Sequence, residues 1–213
     1  KETANKGGVW AMNTWVRGTP SLCVVDDQVP GSSSPMFARS GSDGSVWMSM
    51  LEKCYAKASG NYEYIGNGGR MIEGYDFLSG TPTISYNTRS LSDVALVTLA
   101  KAITGMKFFS TVAVMSRNSY RLPPGHAYSF IGVCDIKKSD NSVITLFGIR
   151  NPWGSESYGG LFNGSAADSM TAFWATKGAS GRTYSQQCSQ TNADDGLFYV
   201  TVPEYIKIFD SDL

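Results

Sequence analysis

A single histidine stands out among the residues of this 213-residue sequence that could do chemistry. His126 follows Gly125 and opens an apolar run that reads AYSFIGV. Asn151 lies further along the chain in the motif IRNPWG, two residues before Trp153. A thiol nucleophile needs an imidazole base held by a third group, and a neutral amide suffices because the thiolate–imidazolium pair is already charged. The residue types therefore predict a histidine base with an asparagine orienter.

Two predicted strands would bring this pair together. Residues 127–136 and 142–150 are rich in β-branched and aromatic side chains, and the polar turn KKSDN joins them. His126 begins the first strand and Asn151 follows the second, so an antiparallel pairing places both at one end of the sheet. Trp153 would then cover the contact and exclude water, which strengthens the hydrogen bond. A simpler interpretation makes His126 and Trp153 core residues and Asn151 a turn former.

The four cysteines give little sign of metal or disulfide chemistry. No two of them have the spacing of a zinc site, and Cys23, Cys54 and Cys134 each lie within an apolar run. Four cysteines are enough for two disulfides, but nothing in their placement, including that of Cys188, requires one. Reduced, buried thiols and an intracellular compartment are therefore expected.

The remaining patterns predict helices first and strands later. Residues 1–8 are expected to be an N-terminal extension, and residues 9–213 a single domain. This order indicates an α+β fold with a mainly antiparallel β-sheet and several helices packed on it. The further predicted elements are a hairpin over 9–16 and 21–25, helices over 45–58, 70–78, 92–104 and 203–209, and strands over 106–115 and 197–202.

Charge and hydropathy exclude several kinds of partner. The chain has 18 Lys and Arg against 18 Asp and Glu, and no basic block interrupts this balance. Electrostatic binding to nucleic acid or to an anionic membrane is therefore not expected. No apolar stretch approaches the roughly 20 residues of a membrane-spanning helix.

The motifs GHAYS and IRNPWG resemble the histidine and asparagine motifs of the calpain-like cysteine proteases. The resemblance extends over residues 9–210 and includes four further segments. These are CVVDDQVP, VWMSMLEKCYAKASGNYE, EGYDFLSG and DDGLFYVTVPEYIKIF. The resemblance implies the second, His/Asn-bearing subdomain of a papain-type protease core. It makes His126 the general base and later the acid, Asn151 its orienter, and Trp153 the shield. Gly125 would keep the substrate side of the histidine open, and the substrate would be a protein.

The family's nucleophilic cysteine and oxyanion-hole glutamine lie in a Gln-Gly-x-x-Gly-Asp-Cys-Trp segment, which this sequence does not contain. By motif, none of the four cysteines replaces that nucleophile. A chain with the base but no nucleophile is expected to lack peptidase activity by itself. Its expected partner is a Cys-bearing protease subdomain, supplied by an upstream segment or by a separate chain.

The family also binds calcium, but the acidic ligands are depleted here. Asp195 carries over and Glu156 is a shifted candidate, while Ser157, Gly164 and Leu197 stand where acids are expected. Because calcium takes six to eight oxygen ligands, weak or absent binding is expected, and no cofactor is required. For the stretch Asp194-Asp195-Gly196, an ordinary turn is preferred to a calcium ligand.

Two other functions fit the same sequence. The chain could belong to a non-catalytic calpain-like scaffold or cytoskeletal assembly module, which the missing nucleophile and depleted calcium ligands favour. A papain-type enzyme also pairs His with Asn before Trp-Gly, but it usually has Ser in place of Pro152. An intracellular, cytoplasmic location, with cytoskeletal association under the scaffold interpretation, is expected.

Overall fold

The computed structural model describes residues 7–41, 43–155, 158–160, 162, 171–191 and 193–209. The chain divides into two compact units, Lys1–Ile84 and Ser85–Leu213. Seven α-helices and two antiparallel sheets are present in the described residues, which confirms the predicted α+β class. The single domain over residues 9–213 stays a prediction. Residues 1–6 of the predicted extension lie outside the described residues.

The first unit consists of a β-hairpin and three helices. Strands β1 (Val9–Val16) and β2 (Thr19–Asp26) pair in antiparallel register around a turn at Arg17 and Gly18, both in the left-handed region. Helices α1 (Trp47–Ser59), α2 (Tyr62–Gly66) and α3 (Met71–Ser79) follow. The fully or nearly buried apolar core of this unit comprises Val25, Met50, Cys54 and Phe77.

The second unit is built on a four-stranded antiparallel sheet in the order β3-β4-β5-β6. A short 3-10 helix (Thr88–Ser90) and α4 (Asp93–Met106) precede the sheet, and Ser92 caps α4 by accepting the Ala95 N–H, as its position predicts. The strands are β3 (Ser110–Val114), β4 (His126–Lys137), β5 (Val143–Arg150) and β6 (Leu197–Thr201). The remaining helices are α5 (Thr171–Ala175), α6 (Tyr184–Cys188) and α7 (Val202–Ile208).

A β-bulge in β4 decides which side chains face which side of the sheet. The register with β5 shifts between Phe130 and Gly132. Before the bulge, Tyr128 and Phe130 join the core under α4 and α7, whereas after it Ile136 joins the core beside α5 and α6. An extra residue reverses the parity of a strand, so even-numbered residues change faces at this point. His126 therefore shares its face with Tyr128, toward the larger core.

The bulge also explains a disulfide that the sequence did not predict. Cys134 follows the bulge on the side of α6, whose last residue is Cys188, and the two Cα atoms lie 5.4 Å apart. The two cysteines form a disulfide, so the expectation of a reduced thiol at Cys134 is wrong. Their separation of 54 residues in the chain gave no local signal. Cys23 and Cys54 are free thiols, as expected.

None of the described helices has the length and apolar character needed to cross a membrane.

Candidate active site

His126 lies at the start of β4, opposite Val114 of β3. Gly125, directly before it, has a φ of +69° and donates its N–H to the Val114 carbonyl at 2.7 Å. A Cβ at Gly125 would meet no described atom within 4 Å. Strand pairing therefore fixes the backbone of the histidine, while the space beside Gly125 stays open among the described residues.

The Asn151 side chain is buried, with 1% of its surface exposed, and its amide is held on three sides. Oδ1 lies 3.0 Å from His126 Nε2 and also accepts the Trp153 N–H at 3.1 Å. Nδ2 donates to the Ser155 carbonyl at 3.1 Å. Asn151 also donates its backbone N–H to the Gly196 carbonyl at 2.9 Å. The orienter predicted from the sequence thus contacts the histidine and is itself fixed.

This network sets the tautomer of the imidazole. Because one end of the Asn151 amide accepts a backbone N–H and the other donates to a carbonyl, only one orientation of the amide satisfies both bonds. The Asn151 Oδ1 must then face His126. The Nε2 of His126 must therefore carry a proton, which it donates to this oxygen. In the neutral ring Nδ1 is left as the basic nitrogen, so the geometry provides a proton acceptor of defined direction.

Two aromatic side chains pack against the imidazole. The Trp153 ring lies with its centroid 4.2 Å from that of His126, tilted by 37°. The Tyr128 ring meets it edge-on at 4.7 Å. Tyr128 is buried, but 65% of Trp153 is exposed, so Trp153 covers the imidazole while its own outer surface faces solvent. Burial raises the pKa of the Tyr128 phenol, which keeps this neighbour neutral.

None of the cysteines has the setting of an activated nucleophile. Cys134 and Cys188 are joined to each other. Cys54 is fully buried, and burial together with the neighbouring Cys23 raises the pKa of its thiol to about 12. The Cys23 Sγ lies 3.9 Å from the Cys54 carbonyl oxygen, and Cys23 is partly buried against the core of the first unit. A reactive cysteine needs a lowered pKa and access to substrate, and Cys54 has neither.

The predicted calcium ligands do not assemble a cation site among the described residues. Both carboxylate oxygens of Asp195 are occupied, because Oδ1 accepts the Leu197 N–H at 2.9 Å and Oδ2 accepts the Thr191 hydroxyl at 3.2 Å. Among all the residues that the structure describes, no group of three or more His, Cys, Asp or Glu side chains could hold a metal ion. Glu156 lies outside the described residues. One occupied carboxylate does not fit a cation that takes six to eight oxygens.

The sequence missed three residues that complete the site. Tyr128 lies two positions after His126, and the period of two along a strand would have placed both on one face. Ser155 and Gly196 act through backbone carbonyls, for which the sequence offers no signal beyond the left-handed conformation that glycine favours. The site is therefore larger than its motifs.

Comparison with known proteins places this chain in a family. A model of the calpain family of cysteine proteases matches residues 1–212. The chain therefore belongs to the calpain family of cysteine proteases.

Individual relatives agree with this assignment. Calpain-12 from Homo sapiens is 30% identical over 210 residues, which cover 96% of this chain and 28% of that protein. Calpain-8 from Mus musculus is 27% identical over 215 residues, covering 96% and 29%. The calpain-2 catalytic subunit from Mus musculus is 31% identical over 167 residues, covering 75% and 24%. The chain thus spans less than a third of the length of these relatives.

Proposed function

We propose that this chain is the His/Asn-bearing half of a calpain-like cysteine endopeptidase core and that it is inactive alone. The observation that carries the proposal is the bond between His126 Nε2 and Asn151 Oδ1, 3.0 Å long and made by an amide that is itself fixed. A buried core histidine would be satisfied by any acceptor. A pair whose basic nitrogen is directed away from a locked, buried orienter has the arrangement that thiol activation requires.

In the proposed reaction, His126 Nδ1 accepts the proton of a cysteine thiol supplied by the Cys-bearing subdomain. The thiolate attacks a peptide carbonyl carbon, and the resulting imidazolium returns the proton to the departing amine. Water, deprotonated by the same nitrogen, then hydrolyses the thioester. Asn151 holds the ring, and Trp153 keeps water from the Nε2 side of the bond. The open position at Gly125 leaves room for an extended protein substrate.

The inactivity of the isolated chain is tested by an active-site label for thiol proteases. Intact-mass analysis after incubation is expected to show no stoichiometric modification, since Cys54 is buried, Cys23 is partly buried against the same core, and Cys134 and Cys188 are joined. The positive control is the same chain mixed with, or fused to, a Cys-bearing calpain subdomain, which should take up one label. Stoichiometric labelling of the isolated chain would refute the proposal.

Calcium is not proposed to take part through Asp195. Its carboxylate already accepts hydrogen bonds within a turn. Leu197, which stands at the next position where an acid is expected, offers no side-chain oxygen. Calorimetric titration of the chain with calcium is expected to give no micromolar binding. A micromolar site abolished by Asp195→Asn would contradict this.

A non-catalytic scaffold, including a cytoskeletal one, is the second candidate. It is favoured by the occupied Asp195 carboxylate and by Leu197, which offers no side-chain oxygen in the same segment. Neither candidate includes nucleic acid or a membrane as a partner. If the Cys-bearing subdomain is added and neither label uptake nor peptide hydrolysis follows, the scaffold becomes the better proposal.

A cytoplasmic location stays a prediction. The Cys134–Cys188 disulfide speaks against it, because disulfides are rare in reducing compartments. Trapping thiols with an alkylating agent at the moment of lysis, followed by mass spectrometry of the Cys188 peptide, would show which redox state exists in the cell.

A further inference from the structure

The turn before β6 lies against the segment that carries Asn151. Arg150 pairs with Leu197 at the end of the β5–β6 ladder, and the bond from the Asn151 N–H to the Gly196 carbonyl extends that ladder by one residue. Gly196 is therefore the residue opposite the orienter, although the proposed chemistry gives it no part.

Gly196 has no room for a side chain. Its φ is +83°, a conformation that favours glycine. A Cβ placed there would lie 2.7 Å from the backbone oxygen of Asn151 and 3.3 Å from both the Gly154 Cα and the Ser155 nitrogen. All three are backbone atoms, so no change of rotamer could relieve the contact. Only a movement of the 151–155 segment, or of the turn itself, would make space.

The same segment holds the Asn151 amide. The Trp153 N–H and the Ser155 carbonyl fix the orientation of the side chain, each at 3.1 Å. A displaced segment would weaken one or both of these bonds. The amide would then be free to rotate, and the proton donated by His126 Nε2 would lose its defined acceptor.

From these contacts we propose that Gly196 is a positioning residue for the His126–Asn151 pair. Because Gly196 has no side chain, the turn can lie directly against the backbone of residues 151–155 and accept the Asn151 N–H. Asp195 holds that turn in place, because it accepts the Leu197 N–H and the Thr191 hydroxyl. The catalytic meaning of this support rests on the proposed function, but the geometric claim does not.

Nuclear magnetic resonance can test the proposal directly, because His126 is the only histidine in the chain. A long-range proton–nitrogen correlation spectrum of the neutral ring reports which nitrogen carries the proton, without any assignment problem. The wild-type chain should show Nε2 protonated. Asn151→Ala provides the reference spectrum for a lost orienter. Gly181→Ala is the matched control, since Gly181 also has a left-handed φ, +76°, and a Cβ there meets no described atom within 4 Å.

For Gly196→Ala, we expect loss of the pure Nε2-protonated pattern and a shift toward the spectrum of Asn151→Ala, with Gly181→Ala matching the wild type. Thr191→Val, which removes one of the bonds to Asp195 without adding a clash, should shift the pattern partway in the same direction. A folded Gly196→Ala chain with the wild-type pattern would overturn the proposal. So would global unfolding of Gly196→Ala combined with a wild-type pattern in Thr191→Val.

This readout separates the two proposals. Peptidase activity and active-site labelling test whether His126 serves a cysteine, whereas the imidazole spectrum tests whether Gly196 orients it. If the chain supplied with the Cys-bearing subdomain takes up no label while the spectrum of Gly196→Ala is shifted, the proposed function is removed and the positioning role stays intact.

Discussion

Replacing Asn151 with alanine is the perturbation that most directly tests the site. The substitution removes an amide that bonds to His126, Trp153 and Ser155 and leaves space where a buried side chain was. Trp153 and Ser155 are exposed, so water can replace the amide at the two backbone groups. The bond to the half-buried imidazole is the one that water replaces poorly.

The expected loss of stability follows from this difference in how well water replaces the three bonds. A lost hydrogen bond that leaves a buried partner unsatisfied costs about 1–3 kcal/mol, and only one of the three partners here is shielded. We therefore expect the free energy of unfolding to fall by about 1–2 kcal/mol, or roughly 5- to 30-fold in the equilibrium constant. The imidazole should also lose its single tautomer, because no fixed acceptor remains at Nε2.

The assay is urea unfolding combined with the imidazole spectrum, and Asn118→Ala is the matched control. Asn118 lies in the same unit and also uses both ends of its amide, donating to the Leu122 carbonyl at 2.9 Å and accepting the Tyr120 N–H at 3.0 Å. We expect Asn118→Ala to cost similar stability while the tautomer of His126 stays unchanged. An Asn151→Ala chain that keeps wild-type stability and the Nε2-protonated ring would refute the reasoning.

Three further predictions concern parts of the chain outside the site. Since burial raises the pKa of Cys54 to about 12, iodoacetamide at pH 8 should alkylate it at least ~100-fold more slowly in the folded chain than in urea, as peptide mass spectrometry would show. Reduction of Cys134–Cys188, which closes a loop of 54 residues, should lower stability by about 4 kcal/mol in urea unfolding; no change would contradict the pairing. Burial raises the pKa of Asp135, but the hydrogen bonds from Lys101 and Thr145 and the charge of Lys101 together outweigh burial, so the pKa is lowered overall. The pair is partly exposed, so it should contribute less than about 1 kcal/mol. That contribution is present above pH 4 and lost as the pH falls through the depressed pKa, so Lys101→Met should match the wild type in acid but not at pH 7.

The elements with strong periodicity could be predicted from the sequence. The strand predicted over 142–150 is Val143–Arg150, and the helix predicted over 92–104 is Asp93–Met106. The helix predicted over 45–58 is Trp47–Ser59, which begins two residues later than predicted and has no side-chain cap at its N-terminus. Hydrophobic periodicity fixes the body of an element better than its end.

The helices of about one turn were not predicted, because they are too short to show a hydrophobic periodicity. α2, α5 and α6 have five residues each. Two of them still carried a local signal, since Asn61 caps α2 and Thr183 forms a capping box with Gln186 at the start of α6. Capping residues alone, without an apolar stripe behind them, are too common in turns to predict a helix.

By itself, the sequence determined which residues could do chemistry and that they would meet. His126 and Asn151 flank two strands joined by a short turn, and antiparallel pairing of neighbouring strands leaves little freedom in where such residues lie. Only the tertiary structure decided how the pair is held. The tautomer of His126 depends on the bonds that the Asn151 amide makes with Trp153 and Ser155. The position of the Asn151 backbone depends on the turn at Gly196, which lies 45 residues later in the chain. The tertiary structure also decided the Cys134–Cys188 disulfide, because the bulge in β4 reverses which face of the sheet the later side chains occupy. The bonds from Trp153 and Ser155 are local, but they use backbone atoms that every residue type carries. The Gly196 contact and the disulfide join segments that are distant in sequence, through a backbone carbonyl and strand parity, and neither leaves a pattern in the residue types.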